Sequence, residues 1–230
     1  MSLILLHFLA ILPGVLICFL IVKMDKYEQE PLGAIFYCYF LGMLATIPVI
    51  FIQKWSGALY VFQEQSAALT FIASFAVVAS SEELAKGLTT LLGAYPRRFF
   101  NEPVDGIVYS VLVGMGFATV ENIIYATHFG METTIVRAFT AVPAHLVFAI
   151  IQGYYLGLAK FHPGRRMDLL LRGLGISIFF HGLYDFLILQ EMSEWLSLLG
   201  SVSVYLCLYY CGPLIREHLD NSPFRNSANP

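Results

Sequence analysis

Charge is the scarcest ingredient of this chain. Asp, Glu, Lys and Arg make up 13% of its 230 residues, hydrophobic residues make up 58%, and the mean hydropathy is +0.71. Such a composition excludes a disordered chain and an ordinary soluble domain, and places the sequence among polytopic membrane proteins. A net charge of −3 and a pI near 6.0 leave no basic footprint for nucleic acid. Cysteine is sparse too. Cys18, Cys38, Cys207 and Cys211 all lie in apolar stretches; the last pair shares a helix face without a histidine nearby and reads as packing residues. Several catalytic signatures are missing. The lack of H-E-x-x-H excludes a zinc protease of the usual helical type, and the lack of G-x-S-x-G excludes a serine nucleophile elbow. No phosphate-binding or dinucleotide fingerprint appears, and there is no internal repeat or low-complexity run. No positive residue precedes the first apolar run and no small-x-small site follows it, so that run reads as a membrane helix rather than a cleavable signal.

What is abundant is apolar sequence in lengths near the roughly 20 residues that one bilayer crossing needs. Candidate spans fall near residues 2–22, 33–52, 67–93, 104–127, 134–159, 169–190 and 194–215. The expectation is an all-α transmembrane bundle of seven spans. Residues 1–215 form a single integral membrane domain, and 216–230, polar and rich in Pro, Asn and Ser, form a disordered tail. Seven crossings put Lys23, Lys26, Arg97, Arg98, Lys160, Arg165, Arg166, Arg172, Arg216 and Arg225 on one side, against Lys54 and Arg137 on the other. By the positive-inside rule the amino terminus lies outside and the carboxyl terminus in the cytoplasm. Pro143 complicates the fifth span. Proline is most comfortable in a first helical turn, so the helix either runs from 134 or starts near Pro143, leaving the preceding stretch as an interfacial or re-entrant piece.

Against this apolar background six ionisable residues stand out inside spans: Glu82, Glu83, Glu121, His145, His181 and Asp185, with Lys86 as the one cation at their depth. A charge at the centre of a membrane helix costs roughly 2.5–3.5 kcal/mol on the mildest scale. Four carboxylates against one ammonium leave a net −3, which protons, charged histidines or a bound cation must offset. Glu121 and Asp185 lie about 8–10 Å below the outer boundary at 1.5 Å per residue. Four helices thus aim polar groups at one level, which argues for a shared, water-reachable cavity opening outward. Each group has a plainer reading. Glu82 or Glu83 could pair with Lys86 only to fix packing; His145 could be a satisfied packing histidine; His181 and Asp185 could be a local hydrogen-bonded pair. Of the adjacent glutamates, about 100° apart on a helix, one should face the cavity and the other be steadied by Lys86. Asp105 reads as a helix-terminus charge complementing the dipole. One at a time several plain readings win; together, with the charge deficit, they do not.

Carboxylate and imidazole chemistry is what remains, and it points to hydrolysis. A glutamate activates water; the histidines hold a metal or stabilise an oxyanion. In a metal-free version Glu82 or Glu83 is the general base and His181, oriented by Asp185, stabilises the intermediate or protonates the leaving amine. In a metal version Glu121, His145 and His181 bind one divalent ion such as zinc, with Asp185 behind them. A small proton-coupled transporter is the rival class, since Glu, His and Asp chains also relay protons. Carriers usually bind substrate between repeated halves, and no repeat is visible here. A non-catalytic scaffold would have no use for so many costly groups at one depth.

The motifs also carry a resemblance. SEELAKG (81–87) matches E-E-x-x-K, Phe117–Glu121 gives F-x-x-x-E within NEPVDGIVYSVLVGMGFATVENIIY, AHLVFAIIQGYYLGLA (144–159) supplies a histidine, and HGLYDF (181–186) matches H-x-x-x-D. In this order, over a core of 81–186, the set resembles the PrsW intramembrane protease family, distant kin of the CAAX-processing and bacteriocin-immunity membrane proteases. The resemblance implies a bacterial plasma-membrane protease making the first cut in an anti-sigma factor, a single-span membrane protein, on the extracytoplasmic side. It assigns Glu82 and Glu83 as the catalytic pair and His181 as the essential histidine, with Glu121 and His145 completing the site. Two positions depart from the CAAX branch: Glu121 replaces its histidine and Asp185 its asparagine. An ionised aspartate cannot donate to an oxyanion as an asparagine amide can, so that branch's mechanism does not transfer directly.

Overall fold

The computed structural model describes residues 3–62 and 66–225. Among them seven helices are long and apolar enough to cross a membrane, and no strand occurs. They are α1 (Leu3–Met24), α2 (Leu32–Ser56), α3 (Ala67–Gly93), α4 (Asp105–Phe139), α5 (Ala141–Phe161), α6 (Arg166–Leu189) and α7 (Glu194–Asp220). A single turn, Ala58–Val61, follows α2.

Burial sorts these helices into inner and outer ones. The most apolar stretches of α4 and α5 are 78% and 72% buried, against 22–39% for the others, so α4 and α5 form the axis around which the rest pack. Their crossing is close because small residues meet: a Cβ on Gly106 would stand 2.4 Å from the Gly153 carbonyl oxygen. The outer helices show apolar side chains to the surroundings instead, including Phe8, Phe19, Phe36, Phe51, Leu206 and Tyr209. A helix apolar on its outward face needs lipid there, as the hydropathy predicts.

Two irregularities position the polar groups. In α3, Ala73–Ala79 is wound as a π-helix, and the Ser80 hydroxyl donates to the Phe75 carbonyl at 2.6 Å. A widened turn changes the angle at which the following residues emerge, and Glu82 and Glu83 follow directly. In α4, Gly130 has φ 79° and ψ −160°, a backbone region that is essentially glycine's alone. A straight helix would hold residues 121 and 137 about 24 Å apart. The break folds the last turns back, so that Arg137 Nη2 reaches Glu121 Oε2 at 2.9 Å.

That reversal decides between the two starts open for the fifth span. It begins at Ala141 rather than 134, with Pro143 in its first turn, where a missing N–H goes unnoticed. Residues after Gly130 are a helical return belonging to α4. The carboxyl end differs as well. Helix α7 continues to Asp220, beyond the tail boundary expected at 216, because His218 is buried and its Nδ1 donates to the Pro103 carbonyl at 2.7 Å. The expected tail beyond residue 225 lies outside the described residues.

Candidate active site

Helices α3, α4, α5 and α6 converge on one cavity of ≈ 240 Å³, whose wall includes Glu82, Glu121, Arg137, His145, His181 and Asp185. The two adjacent glutamates of α3 part company there. Glu82 faces the cavity, while Glu83 lies behind the wall, its Oε1 2.5 Å from Lys86 Nζ and accepting from His181 Nδ1 at 2.7 Å. The Glu83 carbonyl accepts from Gln152 Nε2 of α5 at 3.1 Å, which pins the α3 backbone as well.

Glu82 is differently placed. Its Oε1 accepts from Gln53 Nε2 of α2 at 3.1 Å, and its Oε2 is buried without a hydrogen-bond partner. Lys86 Nζ and His181 Nε2 flank that oxygen at 3.6 Å and 3.9 Å. A carboxylate oxygen 2% exposed residue-wide and left without a donor is costly unless something else approaches it.

The two histidines are held in contrasting ways. His145 Nε2 donates to Glu121 Oε2 at 2.8 Å, and its Nδ1 faces Lys86 Nζ at 3.4 Å, so the lysine donates to the remaining lone pair. His181 stands between carboxylates: Glu83 at Nδ1, and Asp185 Oδ2 3.3 Å from Nε2. Phe148 stacks on the His181 ring with centroids 4.7 Å apart, fixing its plane.

Arg137 belongs to the site, although sequence reasoning counted it only among outer-side loop charges. Its Nη2 donates to Glu121 Oε2 and its Nε to Asn122 Oδ1, both at 2.9 Å, and its guanidinium lies 3.9 Å over the Tyr125 ring. This corrects the charge tally. Four carboxylates face two cations, Lys86 and Arg137, leaving two negative charges rather than three when the imidazoles are neutral. One divalent ion would close that gap. A charged His181 with one shared proton would also close it.

The residues able to share an ion also differ from those expected. Ligand atoms of Glu82, Glu121 and His145 lie within 4.8 Å of one another. His181, expected to join Glu121 and His145, is not in that group; Glu83 and Asp185 flank its two ring nitrogens. Gln53 and Gln152 were missed altogether. Both are neutral amides, and only their polarity near the end of α2 and in the middle of α5 set them apart.

Comparison with known proteins gives one consistent answer. A family model described as "PrsW family intramembrane metalloprotease" matches residues 30–211. The chain is 37% identical to Protease PrsW of Geobacillus kaustophilus over 179 residues, covering 78% of this chain and 77% of that one. It is 34% identical to Protease PrsW of Bacillus subtilis over 198 residues, 85% and 88% of the two chains. With Protease PrsW of Clostridioides difficile the identity is 32% over 207 residues, 87% and 86%. No solved structure matches the chain.

Proposed function

The chain belongs to the PrsW family of intramembrane metalloproteases, a multi-pass bacterial membrane peptidase, and from that premise we propose how its cavity works and on what. Membership removes the transporter and scaffold readings. The observation that carries the proposal is the gathering of Glu82, Glu121 and His145 around one buried, unpartnered carboxylate oxygen.

That donor set suits a divalent ion such as zinc: two carboxylates and an imidazole, with one oxygen left without a donor. Glu121 and His145 would hold it, giving up their mutual hydrogen bond to do so, while Glu82 stands beside them on the same cavity with Oε2 left free for water. Such an ion, when bound, polarises a carbonyl and acidifies water. The chain's own groups do the rest. Glu82, through Oε2, takes the proton of the water that attacks the scissile carbonyl. His181, its ring fixed by Glu83, Asp185 and Phe148, gives a proton to the leaving amine. Lys86 holds Glu83 and neutralises the α3 end of the site. Arg137 holds Glu121.

The substrate is a single-span membrane protein, and the family resemblance supports an anti-sigma factor in that role. With the amino terminus outside, the orientation the Lys and Arg distribution favours, the cavity lies toward the extracytoplasmic side and the cut falls there. Purified protein incubated with a single-span anti-sigma factor in detergent should yield a fragment cut near its outer membrane boundary. Glu82→Gln should lower the rate by about 10²–10⁴-fold, the range of a lost general base. Cleavage persisting unchanged in that variant would overturn the assignment of Glu82.

A further inference from the structure

A second group of acids gathers where the α1–α2 loop meets the turn leading into α4. Asp25, Glu102 and Asp105 each present a carboxylate oxygen, and these lie within 4.8 Å of one another. Asp25 is 5% exposed, Glu102 and Asp105 0%. Both oxygens of Asp25, both of Glu102 and Oδ1 of Asp105 are buried without a well-formed hydrogen bond, their polar neighbours being the Tyr27 and Glu28 backbone for Asp25, Ser222 for Glu102 and Glu30 for Asp105. The remaining Asp105 oxygen is taken, accepting from the backbone N–H of Asn101 at 2.6 Å and Glu102 at 2.9 Å. Sequence reasoning gave Asp105 to the helix dipole, a role that would not require burial.

No lysine, arginine or histidine among the described residues forms an ion pair with these three acids or with the neighbouring Glu28 and Glu30. Lys160 feels the Asp105 charge, but its ammonium donates to the Tyr95 carbonyl and sits over the Tyr95 and Phe100 rings. Glu30 accepts from the Tyr109 hydroxyl and keeps Oε1 without a donor.

The donor chemistry differs from that of the catalytic cavity. It is oxygen only, which suits hard cations and not zinc or copper. Two oxygens on one calcium lie no farther apart than about twice 2.3–2.6 Å, and the observed spread of at most 4.8 Å falls within the upper part of that limit, whereas magnesium, at about 2.0–2.1 Å, needs the oxygens to draw closer. Asp105 precedes Glu121 by about 24 Å along α4, so the two groups cannot share an ion. We propose that Asp25, Glu102 and Asp105 form a structural site for a hard divalent cation, calcium or magnesium, that ties the α1–α2 loop to the base of α4. The proposal does not rest on the proteolytic mechanism.

Full-length protein in detergent, stripped with EDTA and moved to chelator-free buffer, is titrated with calcium alone and magnesium alone. Bound ion is measured by equilibrium dialysis and unfolding by circular dichroism. One ion per chain should bind, and the unfolding midpoint should rise with its concentration, as expected for a ligand of the native state. Asp25→Asn and Glu102→Gln should each weaken binding on the order of tenfold or more, whereas Glu82→Gln should leave it unchanged. Should the variants fail to fold, the titration of the unaltered chain decides alone. Neither ion binding at roughly millimolar concentration would overturn the site. So would amide variants that bind as well as the parent, or that are more stable in EDTA and indifferent to both ions, since protons would then keep the pocket neutral. Loss of the catalytic assignments would leave this titration as it stands.

Discussion

Arg137 makes its case through its partners. One guanidinium meets Glu121, Asn122 and the Tyr125 ring, so the carboxylate it holds is fixed in angle as well as in distance. Groups that orient a ligand from behind typically contribute about 10–100-fold to affinity or activity. Arg137→Ala should therefore lower kcat/KM for cleavage by about that factor. Arg137→Lys should restore only part, because an ammonium cannot reproduce a fork that spans Glu121 and Asn122. An alanine variant as active as the parent would remove Arg137 from the site. The sequence could not supply this residue's role, since a lone arginine in an apolar outer stretch looks the same whether it faces water or folds back onto a carboxylate sixteen positions earlier. Glu82 and Glu83 were legible as a pair with divided duties, because adjacent helical residues diverge; which one faces inward depended on how the π-turn before them sets the angle.

Helices were easier to read than their breaks. Hydropathy and length located each crossing, and Pro143 marked the true start of α5 through its comfort in a first turn. Gly130 gave no such signal: a single glycine inside GMETT does not reveal whether the chain passes straight through or reverses. The structure makes the reversal depend on it. A Cβ at Gly130 would meet nothing within 4 Å, so any loss on substitution must come from the backbone, which sits where side chains are rarely tolerated. Gly130→Ala should cost about 1–3 kcal/mol of stability and reduce cleavage in parallel with Arg137→Ala, because both detach the return helix from Glu121. Thermal unfolding and a cleavage assay on the same preparation check this. An unchanged midpoint with unchanged activity would mean that the bend is not required.

For the whole molecule, the useful quantity is the balance of buried charge. A bundle with two inner helices and five lipid-facing ones can tolerate carboxylates only where other helices supply cations, amides or ions. Composition alone established that balance as a deficit and located it on spans three to six, which the structure joins at one cavity. It could not say how large the deficit was, since that required Arg137, nor which groups would share an ion, since that required His181 to be seen between Glu83 and Asp185. The acids at the base of α4 show the same limit: Glu102 and Asp105 are neighbours in sequence, but Asp25 lies far ahead of them and no motif joins it to the pair.

The most direct test of the account is the metal content of the purified protein measured beside its cleavage activity, for the parent and for His145→Ala, Glu121→Gln and His181→Ala. Removing His145 or Glu121 should empty the catalytic ion site and abolish cleavage together, while His181→Ala should keep the ion and lose activity. Active parent enzyme without stoichiometric metal, or a His181→Ala protein that loses the ion while His145→Ala retains it, would contradict the account.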